Sequence, residues 1–374
     1  MKQLIKRIIE IYLVKQSYKS SKSFYDNAIR YNPQLKEPTD GEKEWLEKWR
    51  QYDPKLSPMA YRVFSRYIGP NMDIVPLEVC SSMCEPVLTP YHFNNFYADK
   101  NTFDLIFPSG TLPKTYLRKI GDRYYDEHYH IIPRIEVLER IKGIEEKSLI
   151  VKPSISSSGM GVVRFSKKDD LFYSDKHELL SLDFLDKYFK RDCIVQESFQ
   201  QHYFFSRYNS SSVNTLRVAS YRDSEGNIQI LNSILRIGLT GSVVDNAHAG
   251  GMFVGVSSDG FLGNYVCDQY GRIQSLFNGI DFSKETMEIP MWGSIKTNIK
   301  EIAQNVIHHD LVAWDIVVDQ VGQPHILEFN VGGFSGWLFQ FTSGPMFGSF
   351  TEDVMKTVVQ RTRETQIKVF LTRK

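Results

Sequence analysis

The sequence predicts an α+β protein in which a mostly helical region, residues 1–105, precedes two mixed subdomains, 106–198 and 199–374. Three observations predict it. Apolar residues recur at helical spacing before residue 70, as at Leu4, Ile5, Ile8, Ile9, Tyr12 and Leu13. Beyond residue 105 the pattern changes to short apolar or alternating runs broken by turns, at 148–165, 192–199, 213–237 and 311–330. Helical patterns return between and after these runs, at 135–141, 290–308 and 349–365.

Composition sets outer bounds. The 374 residues are 42% hydrophobic and 24% charged, ordinary values for a soluble globular protein with two or three subdomains. A formal net charge of +1 argues against nucleic acid as a partner, which calls for a strongly basic face. Cys80, Cys84, Cys193 and Cys267 have neither zinc spacing nor a disulfide pattern, which fits a reducing cytoplasm. No apolar run approaches a membrane span, and no small-residue cleavage site follows the N-terminal basic and apolar residues. Neither a spanning helix nor a signal peptide is expected.

Residues 1–31 read as a helix carrying seven basic and two acidic residues, net +5. A packed helix with a solvated basic face is the favoured reading, and peripheral association with an anionic membrane is the alternative. Residues 32–41 hold two prolines and read as a linker. Residues 42–49 form a short helix with Trp45, Leu46 and Trp49 on one side. Residues 56–68 form another, with Ser57 as N-cap and Pro58 at its first position. Residues 73–90 read as irregular. This region names no chemistry, and its expected contribution is to the acceptor side of a cleft.

Residues 103–107 read as a short apolar strand, followed by Lys114 and Arg118, each of which by itself reads as an exposed basic residue. Residues 135–141 continue a helix that Gly143 stops. Residues 148–153 form a strand ending in Lys152-Pro153, and Ser156, Ser157, Ser158, Gly159 and Gly161 follow in a loop before the chain returns as a strand. Backbone N–H groups in such a loop can close over phosphates because no side chain blocks approach. No Gly-Lys-Ser/Thr opens a helix, so this is not a Walker A loop, and a plain hairpin stays open. A lysine on a buried strand adds to the phosphate reading, since an unpaired buried ammonium is costly.

The strand at 192–197 ends in Gln196-Glu197, with Phe199 and His202 just beyond. Residues 213–221 and 228–237 form a hairpin with its turn at 224–227, carrying Arg217 and Arg236. A guanidinium grips phosphate or carboxylate in bidentate fashion, and structural salt bridges are equally open here. Asp245, Asn246 and His248 precede Gly250-Gly251, a pair that permits close backbone approach or simply a tight turn. Residues 260–289 are a polar excursion without a motif. At the C-terminus Ser349 and Glu352 form a capping box for the helix at 349–365.

The stretch 311–333 organises the rest. Val312, Trp314, Ile316 and Val318 alternate with Ala313, Asp315, Val317 and Asp319, and a second strand follows a polar turn. Pairing Asp319 with Pro324 sets Asp315 opposite Glu328, with Asn330 two residues on along the same face. Directly opposed carboxylates repel. A hard divalent ion removes the conflict, and magnesium favours one or two carboxylates, an amide oxygen, waters and nucleotide phosphates. A solvent-facing polar row is the alternative.

Asp315, then Glu328-Phe329-Asn330, then Gly332-Gly333 resembles the metal-binding end of the ATP-grasp fold. With the run Trp337-Leu338-Phe339-Gln340-Phe341-Thr342-Ser343-Gly344-Pro345-Met346-Phe347-Gly348, the chain is similar to the sugar-transfer-associated branch over about residues 105–350. The resemblance implies two α+β subdomains gripping ATP, with Mg2+ held by Asp315, Glu328 and Asn330. It implies Lys114 or Arg118 at the α-phosphate and Lys152 at the α- and β-phosphates, under a flexible loop containing Ser156, Ser157, Ser158, Gly159 and Gly161. It places Gln196, Glu197, Phe199 and His202 at adenine and ribose, and Asp245, Asn246 and His248 on the γ-phosphate or acceptor side. One departure stands out. Many members carry Arg-Pro-Gly after the asparagine, where this chain has Val331-Gly332-Gly333. Arg217 and Arg236 are the expected replacements. The implied activity is an ADP-forming carboxylate–amine ligase working through an acyl phosphate, in polysaccharide or sugar-conjugate biosynthesis. The alternatives are a kinase acting on a sugar or carboxylate, and a non-catalytic nucleotide-binding partner of a glycosyltransferase complex. The retained Asp315, Glu328 and Asn330 argue against the last.

Overall fold

The structure, a computed structural model, describes residues 2–156, 159–242, 244–284 and 286–364; the side chains of 2–11, 13, 248, 363 and 364 lie outside that description. Two seven-stranded sheets line a common cleft, and the N-terminal helices pack against the second sheet.

The first sheet has the order β3-β2-β1-β7-β4-β5-β6, all neighbours antiparallel. Its strands are β1 (Thr115–Ile120), β2 (Arg123–Tyr125), β3 (Ile131–Ile132), β4 (Ser148–Pro153), β5 (Val163–Lys168), β6 (Leu171–Ser174) and β7 (Cys193–Glu197). Leu117, Leu149, Val151, Cys193 and Val195 point to one face and bury against the helices Val137–Lys142 and Leu182–Tyr188. The period of two therefore leaves Arg118, Ile150, Lys152, Ile194 and Gln196 on the other face. Arg118, Ile194 and Lys152 are direct cross-strand neighbours there.

The second sheet joins β8 (Leu216–Arg222), β9 (Ile228–Ile237), β10 (Met252–Val256), β11 (Val266–Cys267), β12 (Ile273–Gln274), β15 (Leu311–Val318) and β16 (Pro324–Asn330), in the order β12-β11-β10-β9-β8-β15-β16. The polar excursion at 260–289 thus supplies two short edge strands and a separate ladder of β13 (Leu276–Phe277) with β14 (Ile280–Asp281). Strand β15 is buried along its whole length because both of its faces are covered. Val312, Trp314, Ile316 and Val318 enter a core with the helix Trp292–Ile302. Leu311 and Ala313 enter another with the N-terminal helices and the helix Thr351–Glu364.

The hairpin β15–β16 corrects the expected register at its turn. Val318, not Asp319, pairs with Pro324, and Ile316 pairs with Ile326. A bulge follows at Leu327, after which Asp315 pairs with Glu328 and Ala313 with Asn330. The bulge decides the site. Ile326 and Phe329 both enter the same core. Without an extra residue Glu328 would share Ile326's face and be driven into apolar packing.

The N-terminal region is helical: α1 (Lys2–Tyr31), α2 (Glu42–Arg50) and α3 (Met59–Ile68). Helix α3 starts after Pro58 with no side-chain cap, so Ser57 does not serve as one. The expected apolar stripe of α1 falls largely outside the described side chains. The half that packs does so through Ser17, Ser21, Tyr25 and Ala28, at helical spacing. Residues 77–88, expected to be irregular, form a continuous helical run with a π turn at Cys80–Cys84. Residues 103–107, expected as a strand, form the short helix Phe103–Ile106, with Phe103 and Phe107 packed 4.9 and 5.2 Å from the Phe329 ring. An apolar run this short fits either element, and packing decides. The C-terminal helix begins at Thr351 after a turn at Gly348–Phe350, and residue 365 lies outside the described residues. Among the described residues no helix is long and apolar enough to cross a membrane.

Candidate functional site

A cleft of about 1590 Å³ opens between the sheets and the N-terminal region. On the first-sheet side it is lined by Ile150 and Lys152 of β4 and by Ser156, Gly159, Met160 and Val162 of the following loop. On the second-sheet side stand Arg217, Arg236, Asp245, Asn246, Asp315, Glu328 and Asn330.

The charged row is fixed by strand register. Glu328, Asp315 and Arg217 are direct neighbours across β16, β15 and β8. Arg217 grips Asp315 in bidentate fashion, Nε to Oδ1 at 2.8 Å and Nη2 to Oδ2 at 2.7 Å. Arg236 adds Nη1 to the same Oδ2 at 3.1 Å, and the Asn330 amide donates to it at 3.4 Å. Arg236 also donates to Asp245 Oδ1 at 2.7 Å and to Asn246 Oδ1. Burial alone would raise the Asp315 pKa, but the two guanidiniums override it and hold the carboxyl below the ordinary range. Burial likewise opposes the charge on Arg236, and Asp245, Asp315 and Glu328 more than restore it. The expected repulsion between opposed carboxylates is thus relieved by arginines at Asp315.

Glu328 is relieved by a residue that the sequence reading missed. Lys100, 5% exposed, places Nζ 3.1 Å from Glu328 Oε1. It sits in the turn Lys100–Thr102, capped by Asp99, whose side chain accepts from Asn101 N. Its backbone N–H donates to Ser154 O at 3.0 Å, tying this turn to the end of β4. Lys152 lies close by and is 7% exposed. Burial, with the Lys100 charge second, pulls its pKa down to about 7, against a smaller opposing pull from Glu328. A lysine in a short polar turn carries no periodic signal. The surplus carboxylates at 315 and 328 were the available hint that further cations converge there. Asn94 was missed too. It lines the cleft, and His309 Nε2 lies 2.7 Å from its Oδ1. His309 is held neutral, chiefly by burial, with its pKa down to about 4; its Nε2–H therefore donates and leaves the Asn94 amide hydrogens for the cleft.

The Ser/Gly loop crosses to the other sheet. Gly159 has φ +69, and a Cβ there would stand 2.9 Å from Val244 Cγ1 and 3.1 Å from Asn246 Nδ2. Only glycine allows both the backbone conformation and the approach. Ser157 and Ser158 lie outside the described residues, as does the side chain of His248, whose backbone forms the turn Ala247–Ala249. Gly161, with φ +77, packs on Pro153 and does not line the cleft.

The remaining candidates are elsewhere. Lys114 stands over the Tyr116 ring at 4.8 Å, away from the cleft lining. Arg118 is fully buried, paired with Asp104 and stacked 4.5 Å from the Tyr129 ring centre. Gln196 donates to Thr115 Oγ1 at 3.1 Å, and Glu197 Oε1 accepts from Lys114 N at 2.7 Å. Phe199 packs against the His325 ring, and His202 caps the turn Tyr203–Ser206. Their segment is nonetheless the connection between the sheets. Ser198 N donates to Ser148 O in the first sheet, and His202 N donates to Val318 O in the second.

For a metal, the donor set at the cleft wall is Glu328 Oε2 and Asn330 Oδ1, neither with a hydrogen-bond partner among the described residues, beside an Asp315 already shared with two arginines. No cluster of three His, Cys, Asp or Glu is present among the described residues. Hard oxygens, few in number and facing open space, fit magnesium, which takes one or two carboxylates and completes its shell with waters and phosphate.

The sequence matches the family described as sugar-transfer associated ATP-grasp over residues 97–355. No curated protein matches the chain. Similar solved structures include D-alanyl-alanine synthetase A from Vibrio cholerae O1 biovar eltor, 16% identical with TM-score 0.40, covering 72% of this chain and 65% of that one. The D-alanine-D-alanine ligase from Helicobacter pylori is 9% identical with TM-score 0.36, covering 71% and 58%. The ATP-grasp ligase PsnB, complexed with a phosphomimetic variant of its minimal precursor, Mg and ADP, is 13% identical with TM-score 0.41, covering 86% and 74%. The chain thus spans less than two thirds of the length of the first two.

Proposed function

The chain belongs to the sugar-transfer-associated ATP-grasp family, and on that footing we propose that it is a magnesium- and ATP-dependent ligase joining a carboxylate to an amine. The observation that carries the reading is the meeting, in one cleft, of Lys100 and Lys152 with Glu328, Asn330 and the Arg217–Asp315–Arg236 cluster. Cations from one wall and a carboxylate–amide pair from the other suit a polyphosphate held between them. Lys152 and Lys100 bind phosphate oxygens, and the loop through Gly159 closes over them. Glu328 and Asn330 would hold a magnesium ion, which would supply neutralisation of the charge on the phosphates.

We assign to Arg217 and Arg236 the role that a post-motif arginine would play, since this chain has Val331-Gly332-Gly333 at that position. Held by Asp315 and Asp245, they keep their orientation without substrate and present positive charge to the transferring phosphoryl group and the acceptor carboxylate. An oxygen of that carboxylate attacks the γ-phosphorus, and the bond to the β-phosphate oxygen breaks to leave ADP. The amine nitrogen then attacks the acyl carbon, phosphate leaves, and the amine loses a proton. No protein nucleophile is needed. The closed Ser/Gly loop protects the acyl phosphate from water. Polysaccharide or sugar-conjugate biosynthesis is the setting the family description suggests. A coupled assay for ADP over pooled acids and amines tests the reading. Release that requires both an acid and an amine supports it. Phosphorylation without amine would replace it with a kinase.

A further inference from the structure

We infer that Lys100 controls access of the divalent metal: in the free protein its ammonium occupies the carboxylate that a magnesium ion would need, and it gives that carboxylate up only when a phosphate takes the ammonium in its place. The inference rests on the magnesium and ATP part of the proposed reading, and not on the joining of an acid to an amine. Of the carboxylates on the second-sheet wall of the cleft, Asp315 and Asp245 are each held by arginine, whereas Glu328 is held by Lys100, Nζ to Oε1 at 3.1 Å. Glu328 is also the one carboxylate paired with Lys100 among the described residues. The two partners are unequal. The Lys100 side chain is 5% exposed and that of Glu328 is 32% exposed. A buried ammonium stripped of its counter-charge is costly, whereas a half-open carboxylate can turn to water. Lys100 therefore stays on Glu328 until another anion reaches it. A dication arriving by itself at the same carboxylate meets that ammonium as a like charge and is repelled.

The attachment of the two residues makes the second point. The backbone around Lys100 is tied to the first sheet. Lys100 N donates to Ser154 O at 3.0 Å, Tyr129 Oη donates to Asn101 O at 2.7 Å, and the Asn101 amide donates to Lys119 O at 3.4 Å. Glu328 belongs to β16 of the second sheet. The ion pair thus joins the two walls between which a polyphosphate would lie, with Lys152 on the same side as Lys100. The backbone of Lys100 is fixed, but its four-carbon stem lets Nζ move from the carboxylate to a phosphate oxygen. The exchange is charge for charge: phosphate replaces Glu328 on Lys100, and the metal replaces Lys100 on Glu328. Metal alone is therefore bound weakly, and metal with nucleotide tightly. A purely structural ion pair makes the opposite prediction, because losing Lys100 would loosen Glu328 and lower the affinity for metal.

The test titrates the full chain with Mn2+ in the absence of nucleotide, reading free Mn2+ by electron paramagnetic resonance and heat by calorimetry. Lys100→Gln removes the charge and keeps a hydrogen-bond donor for Glu328. Lys100→Met, which fills the buried space, is the second variant should the first not fold. Mn2+ affinity is expected to rise about tenfold to a hundredfold in either, the worth of one charge-assisted hydrogen bond. It is expected to stay at the parent's level in Lys100→Arg, which keeps the charge, and in Lys168→Gln on β5. The gain is expected to vanish when Glu328→Gln is added. Affinity for AMPPNP at saturating Mg2+ moves the other way, falling about tenfold in Lys100→Gln. Mn2+ affinity unchanged or lowered in Lys100→Gln and Lys100→Met, a gain that survives Glu328→Gln, or an equal gain in Lys168→Gln overturns the inference. ADP release over pooled acids and amines is measured in parallel. The Mn2+ gain without acid- and amine-dependent release refutes the ligase reading and leaves the role of Lys100 standing. Such release without the Mn2+ gain does the reverse.

Discussion

Replacing Lys152 by methionine removes the ammonium and keeps most of the side-chain volume. Its consequences follow from the depressed pKa of about 7. In the unfolded chain the group titrates near its ordinary 10.5. Between those values the unfolded chain holds a proton that the native state does not, so native stability rises with pH across that window and is flat below it. At pH 6 the native state carries a buried ammonium at a cost on the order of a few kcal/mol, by the relation of about 1.4 kcal/mol per pKa unit. Lys152→Met therefore abolishes the rise and raises the melting temperature at pH 6. Nucleotide binding shows the other side. At pH 8 Lys152 is largely neutral in the free protein, and phosphate favours its charged form, so ATP binding takes up a proton. Calorimetry of ATP binding in Tris and in Hepes reads that uptake: close to one proton at pH 8, little at pH 6, and none in Lys152→Met. A charge-assisted hydrogen bond is worth about 1.5–3 kcal/mol, so affinity at pH 6.5 drops about tenfold to a hundredfold. Lys168→Met, at an exposed position on β5, is the control. Equal affinity for the two variants, or the same proton uptake in both, refutes the placement of Lys152 on the nucleotide.

Glu328→Gln should leave a folded protein, since the amide oxygen can still accept from Lys100, while turnover is lost and the magnesium requirement rises. Circular dichroism with a magnesium titration checks it, and an unchanged magnesium dependence removes Glu328 from the metal. Gly159→Ala forces a left-handed backbone on a residue with Cβ and brings that carbon against Val244. At about 1–2 kcal/mol, KM for ATP should rise about tenfold with a melting temperature close to the parent's, and a parent-like KM would show that loop closure is not needed. Asp315→Asn should cost more activity than either Arg217→Lys or Arg236→Lys, because it removes the carboxylate that grips Arg217 and one of the two carboxylates that hold Arg236; steady-state kinetics ranking Asp315→Asn as the mildest would dissolve the cluster.

Much of the architecture was legible because it rests on period. Strands β4, β7, β8, β9, β15 and β16 read directly from alternating or apolar runs between turns, and α1 and α2 from helical spacing. The pairing of Asp315 with Glu328 was reached through a turn placed one residue off, which the Leu327 bulge offsets. A bulge leaves no mark in hydrophobic alternation when the extra residue is itself apolar. Short runs such as 103–107 and 77–88 lack enough length for a period, so tertiary packing on Phe329 and on the second sheet decided them. The candidate site was legible on the strands, where register fixes neighbours. It was illegible for Lys100, in a turn, and for Asn94, at the start of the short helix Asn94–Ala98, both joined to the site only by chain crossing.

The central claim, transfer of a phosphoryl group to a carboxylate, is tested most directly by oxygen label. The acid substrate found by the ADP screen is prepared with both carboxylate oxygens as oxygen-18 and incubated with the protein, magnesium, ATP and the amine. Phosphorus NMR then follows the products. One oxygen-18 in each inorganic phosphate released, alongside ADP, is the predicted result, because the carboxylate oxygen that attacks phosphorus leaves with it. Unlabelled phosphate, or label in AMP with pyrophosphate as co-product, contradicts the account.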